Sequence, residues 1–600
     1  MSRRTGRIAR LAGGIAAVAV VAGVAVAGTW LDVPPVPAAP GAVVQVPPTA
    51  TTLVCPGPLV LPDDSAAGDA AFDPTPVDTL TAQRVATTAP AGARTAPPAT
   101  LSPLGGGSPL LRLPGAGPAG VDGLADVDGA TVLRVEPAGD VAAPAGGASA
   151  SVTTEGDLRG LAAASCQQPS ASIWLVGGST EIGSSALLVV ANAGRTPAEV
   201  SLEVWGPTGP VEVVGGGTFL VAPGAERGLL LEGIAAEQRR VAVHVSAAGG
   251  LVSAHIQDSR LQGFTPAGTD LVTAGAGPAT RQVVGGLVVP ASQTGASDTA
   301  QVRLLAPGDE RARVGLTLLG PDGPVTLAGA EEVELGPGEV TDVSLAGLPA
   351  GPYTAVVDAD APVVAGAVLT RQGPPVELDD IPTLERAWVA SGPVGAAGVV
   401  AIPAGVTGTV VIGSVAPPGA EADGGGVRPA GGVLRALGSD GEVLGEQRVT
   451  VPAGSTERVD AATLGRGRPV AAVQLVPDDV VPVDDLSGPA AGAPGDDADT
   501  DADTDADTDA DTDADTDAAA RGGDDTQTDG GTQTDAGTAD QGDGTDEAAT
   551  GADGPATLAW WVLATSGQGP DELLSVLTPV PGPQAPPAVL VRRADRLGLP

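Results

Sequence analysis

Residues 200–211 read VSLEVWGPTGPV, residues 314–325 read VGLTLLGPDGPV, and residues 432–443 read GVLRALGSDGEV. The turns they share begin at Gly206, Gly320 and Gly438, spacings of 114 and 118 residues. A unit that recurs at this period fixes the architecture before any single element does. Ahead of each turn apolar and polar residues alternate, the period of a strand with one buried face. In the first two copies Pro at the second turn position and Gly at the fourth suit a type I turn between two strands.

Outward from these turns the copies continue to match. A second Gly/Pro turn follows at Ala222-Pro223-Gly224, Gly336-Pro337-Gly338 and Pro452-Ala453-Gly454. Long apolar segments come next, VAVHVSAAGGLVSAHIQD (241–258) and YTAVVDADAPVVAGAVLT (353–370), whose halves read as answering strands of a hairpin. In the third copy AAVQLVPDD (471–479) has its answer in ATLAWWVLATS (556–566). The copies open alike, on IWLVGG (173–178), QVVGG (282–286) and AWVASG (387–392). Many short strands with frequent turn signals predict an all-β chain of tandem immunoglobulin-like β-sandwich repeats. The repeats are placed at 171–275, 281–375 and 385–580, the third interrupted by an acidic insertion at 480–555. Within that insertion the run DADTDADTDADTDADTDAD (497–515) buries nothing and repels itself, so disorder is expected.

Before the repeats, residues 11–31, LAGGIAAVAVVAGVAVAGTWL, form an apolar run preceded by Arg3, Arg4, Arg7 and Arg10. It is long enough to cross a bilayer as one transmembrane helix, and the arginines of the 1–10 tail belong on the cytoplasmic side. A signal anchor in the cell membrane, with the bulk of the chain extracytoplasmic, is the expectation. Cleavage after Ala25-Val26-Ala27 is the alternative. Residues 32–50 read as a Pro-rich linker, 51–170 as an irregular β-rich module, and 581–600 as a flexible tail. Cys55 and Cys166 are the two cysteines, and in an exported chain they are most simply a disulfide.

Composition excludes more than it names. The net charge is −42, and the chain contains arginine but no lysine. With no basic face to neutralise phosphates, nucleic acid is not an expected partner. Neither a zinc-protease motif, a nucleophile elbow nor a phosphate loop occurs, and lysine chemistry has no lysine. The chain therefore reads as a non-enzyme without cofactor or metal. The acidic run lacks the Gly and the bidentate acid of a calcium loop. His244 and His255, with Asp258 near, could face each other on a hairpin, but structural roles suit them better. Trp174, Trp205 and Trp388 recur near strand ends, either as packing groups or as contacts for a glycan.

The stretch SVTTEGDLRGL (151–161), followed by Cys166 and by IWLVGG, resembles a family of uncharacterised exported actinobacterial proteins. CPGP (55–58) and LLVVAN (187–192) carry the same resemblance. It covers roughly residues 50–580 apart from the acidic insertion. It implies an N-terminal membrane segment, a β-rich extracytoplasmic region and envelope biology, and it transfers no catalytic residue. The expectation is a non-catalytic cell-envelope scaffold or interaction module. Its partner would be an envelope protein or, as the alternative, a polysaccharide; a glycan-acting enzyme is the lesser reading.

Overall fold

The computed structural model describes residues 42–45, 48–61, 72–73, 77–139, 141–296, 298–327, 329–375, 380–420, 426–478, 554–582 and 588–591. The expected cytoplasmic tail, membrane helix and Asp-Ala-Asp-Thr run lie outside these residues. Among the described residues no helix is long and apolar enough to cross a membrane. Two compact units divide the chain, residues 1–48 with 585–600, and residues 49–584. In the first, Ala42–Gln45 pairs antiparallel with Ala588–Val591. Each stretch holds a short run, AVVQ and AVLV, whose β-branched valines suit a strand.

The second unit is almost wholly β, and the longest helix among its described residues is Ala461–Leu464. Its strands repeat one pairing scheme. Counted along the chain within residues 172–272, with Gly209–Val211 and Thr218–Val221, which both pair with Ala198–Gly206, taken together as the fourth, the fourth, third, sixth and first strands form one sheet, and the fifth, second, seventh and eighth form another. Ser172–Val176 is the first and Thr265–Val272 the eighth. The scheme recurs in 398–577 and in 279–390, where Gly323–Thr326 and Val333–Leu335 together take the fourth position and Gly351–Pro375 takes the sixth and seventh. It also recurs in 51–165, from Thr51–Cys55 to Gly160–Ser165, the stretch whose sequence reads as irregular. Each pair of sheets shares one buried core, so the unit contains four sandwiches. Val200, Leu202 and Val204 show the cause: they alternate inward along Ala198–Gly206 while Glu199 and Glu203 face out.

The turns that define the repeat close tightly. Gly206 pairs with Gly209, and Gly320 with Gly323, across two-residue loops. Gly209 and Gly323 have φ of 122° and 124°, where a side chain would be strained. One expectation needs correction. The halves of 241–258 and of 353–370 are not hairpin partners but belong to the two facing sheets. In the second case a single strand, Gly351–Pro375, runs through both. Its exposed middle, Asp358 to Pro362, marks where the chain rolls over the sandwich edge and leaves both ends buried.

The sandwiches meet through their eighth strands, numbered here in chain order: β1 (Gly160–Ser165), β2 (Thr265–Val272), β3 (Pro382–Ala390) and β4 (Leu573–Leu577). β1 touches β2, β2 touches β3, β3 touches β4, and β4 touches β1. The contacts therefore close a cycle. Cys55 and Cys166 are disulfide-bonded and tie the first strand of the first sandwich to the residue after β1.

Candidate functional site

At the centre of that cycle stands one carboxylate. Asp270 on β2 is 1% exposed, and donors from three other sandwiches converge on it. The Trp388 backbone N–H of β3 donates to Oδ2 at 2.7 Å. The Ala163 N–H of β1 donates to Oδ1 at 3.4 Å, and Ser575 Oγ of β4 lies 2.8 Å from Oδ1. A single side chain thus joins four strands that are distant in sequence. Burial pushes the Asp270 carboxyl well above the usual carboxylate range, and its hydrogen bonds work against that push.

Beside it, in register across the strand pair, is Asp258. Its Oδ2 accepts from Arg386 Nη1 at 3.1 Å and from Trp388 Nε1 at 2.8 Å. Two guanidiniums, those of Arg303 and Arg386, lie over the Trp388 ring, each 5.1 Å from its centre. Arg303 in turn grips Asp342 with two hydrogen bonds and donates to the Gly178 carbonyl of the neighbouring sandwich. Arg159 and Glu385 form a second buried ion pair between the first and third sandwiches. Removing charges from water is costly, and here partners of opposite sign and fixed geometry offset that cost. This junction is sealed, so its chemistry is that of a lock.

The structure separates the three tryptophans. Trp388, 3% exposed, belongs to the junction and has no free face for a sugar. Trp174 and Trp205 stack together with ring centres 5.2 Å apart on the outer face of the second sandwich. His244 also stacks on Trp174, with ring centres 4.4 Å apart. Packing is the role the geometry shows for these rings. Together with Glu203 and His244 they line a cleft of about 470 Å³, closed opposite by Ala306–Glu310, Ala361 and Pro362. Their edges alone reach it, since each is less than a tenth exposed.

His244 and His255 do not face each other. They lie in different sheets, because 242–248 and 253–262 are not hairpin partners. Asp258 is engaged in the junction, and no cluster of metal-ligating residues occurs among the described residues. His255 sits beside Cys55, Gln167 and Glu226 between the first two sandwiches. Burial pushes its imidazole down to about 4. The folded state thus holds a neutral ring, and its contribution is complete above the ordinary value of 6.5. As pH falls from there towards 4 the unfolded chain takes up a proton that the folded chain refuses, so stability is lost. The loss is at most roughly 3 kcal/mol, less for the part of the ring that still meets water. Thermal melts of the full chain and of His255→Asn between pH 7 and 4 should therefore converge and then cross as the wild type weakens faster.

A model of a family of unknown function, DUF5719, matches residues 121–462. The chain belongs to this family. No curated protein sequence matches it. Among solved structures, the crystal structure of Thermotoga maritima 1070 is similar at 22% identity over 19% of this chain and 93% of that one, with a TM-score of 0.15. The BSP domain of a biofilm associated protein is similar at 9% identity over 71% of this chain and 93% of that one, with a TM-score of 0.12. The DUF5719 match begins within the first sandwich and ends in the short helix of the fourth. It takes in Arg159, Asp258, Asp270, Glu385, Arg386 and Trp388, while Ser575 lies beyond it.

Proposed function

We propose that this DUF5719 protein is an exported cell-envelope protein of an actinobacterium, anchored by residues 11–31, that serves as a rigid scaffold or interaction module. Such a role needs no catalysis. The observation that carries it is the Asp270 junction, which makes four sandwiches into one body that presents loops and strand edges at fixed positions. The Cys55–Cys166 disulfide supports an oxidising compartment. The sandwiches read as immunoglobulin-like because the second strand pairs with the fifth and the third with the sixth, as in that core. They differ at the edges, where the first strand lies beside the sixth and the seventh beside the second. A polysaccharide partner is the second reading, favoured by the cleft beside Trp205.

The test is sedimentation of the purified full-length chain, in detergent, with isolated actinobacterial cell wall and with competing soluble glycans. Saturable retention that one glycan displaces supports the polysaccharide reading. Retention that protease treatment of the wall abolishes supports a protein partner. A chain that stays in the supernatant, and that crosslinks to no envelope component in intact cells, overturns both.

A further inference from the structure

The outer face of the second sandwich carries a second cluster that no sequence motif reveals. Ser172, Glu203 and His244 lie on neighbouring strands, Ser172–Val176, Ala198–Gly206 and Ala242–Ala248. His244 stands in register between Trp174 on one side and Glu203 on the other. Ser172 Oγ is 2.9 Å from His244 Nε2, and His244 Nδ1 is 2.8 Å from Glu203 Oε2. An ionised carboxylate only accepts, so Nδ1 carries the ring proton and the Nε2 lone pair faces the serine hydroxyl. The Trp174 indole, tilted only 15° from the imidazole, holds the ring plane. His244 and Glu203 also line the 470 Å³ cleft, and Ser172, which contacts His244, is exposed.

We propose that Ser172, His244 and Glu203 form a hydrolytic relay for carboxylic esters, with Ser172 the nucleophile, His244 the base and Glu203 a positioning residue. The proposal goes beyond the scaffold reading and does not depend on it. Ser172 Oγ bonds to the acyl carbon while its proton passes to His244 Nε2. The bond from acyl carbon to alkoxy oxygen then breaks, and the alcohol leaves with that proton. Water attacks the acyl-serine next, giving one proton through His244 back to Ser172 Oγ and releasing the carboxylic acid. Ester and water become acid and alcohol, with nothing oxidised or reduced.

The surroundings narrow the substrate. Pro307, Pro362, Ala361 and the Trp205 edge give the cleft apolar walls, whereas Glu203, Asp309 and Glu310 make its rim acidic. An uncharged or cationic ester fits and an anionic one is repelled. The Ser172 N–H donates to Ser170 Oγ at 3.2 Å rather than pointing at a developing oxyanion. The acceleration therefore comes from base activation, worth roughly 10²–10⁴-fold. That suffices for esters with good leaving groups and not for amides.

The experiment uses the full-length chain in detergent with p-nitrophenyl acetate and, separately, a fluorophosphonate probe. Saturable turnover is expected, together with probe on one peptide containing Ser172. Ser172→Ala and His244→Ala should each lower turnover about 100-fold or more, with melting curves that stay cooperative. Ser201→Ala, on the same sheet face, should react as wild type. Glu203→Gln should lower kcat at unchanged KM, and Glu203→Asp should restore part of the loss, which a merely structural carboxylate would not do. Turnover unchanged in Ser172→Ala, or probe spread over several serines at equal rates, would overturn the proposal.

Discussion

Replacing Asp258 by alanine lowers the stability of the four-sandwich body by about 3–5 kcal/mol. The substitution strips Arg386 and Trp388 Nε1 of their shared acceptor at a place where the carboxyl is 1% exposed. A guanidinium left buried without its partner is the expensive product, because water cannot reach it to replace the lost charge. Replacing both partners is a different experiment. Asp258→Leu with Arg386→Met removes the stranded charge, and most of the loss should be recovered. Thermal or urea unfolding of the full-length chain separates the two. A single variant that melts like the wild type would show that the pair carries no weight.

Trp561→Ala should cost a similar amount, about 3–5 kcal/mol, through a cavity instead of a charge. Trp561 is 1% exposed and lies on Thr557–Ser566 of the fourth sandwich, yet its ring belongs to the core of the third. Gly285, Gly286 and Gly392 pack directly against it. A Cβ at Gly285 would overlap the ring, and Gly286 also has a φ of 73° that disfavours any side chain. Gly285→Ala alone is therefore destabilising by overpacking, typically by 1–3 kcal/mol. In the double variant the added methyl enters the space left by the ring, so the two losses should not add. Denaturant titrations of the four proteins give the coupling directly; strict additivity would mean that the glycine and the ring do not meet.

These contacts also explain what the sequence did and did not disclose. The repeat turns were legible because Gly209 and Gly323 must adopt a conformation that few residues share. The recurring Gly-Gly openings were legible as a pattern without a reason. Each proves to be a close approach to a tryptophan of another sandwich, Gly177 to Trp388 and Gly285 to Trp561. The first sandwich was hidden by its side chains. Ala145–Thr153 and Gly160–Ser165 are buried almost throughout, yet they consist mainly of Ala, Gly and Ser. Strands that press closely against neighbours on both faces need small residues, and small residues carry little hydrophobic signal. β2 was hidden in the same way, since TPAGTDLV is mostly small or polar although every residue in it is buried.

The junction itself was beyond periodicity. Arg386 and Asp258 are 128 residues apart, and Ser575 and Asp270 are 305 apart. Buried charges in these strands break the rule that polar residues face out, and only the closing of the cycle supplies their partners. The Ser172–His244–Glu203 cluster was unreadable for a related cause: its members sit on three strands, and no local spacing joins them. One signal did exist. Ser172 and Glu203 each stand two residues before a tryptophan, on the same face of their strands as Trp174 and Trp205.

Amide hydrogen exchange across β1 to β4 tests the central claim, that one buried junction unites four sandwiches. The account predicts that the amides of Ala163 and Trp388, which donate to Asp270, and those of the neighbouring residues in all four strands open with a common free energy. It also predicts that Asp258→Ala lowers that free energy in all four together. Four independent opening energies, or an effect of Asp258→Ala confined to the second sandwich, would contradict it.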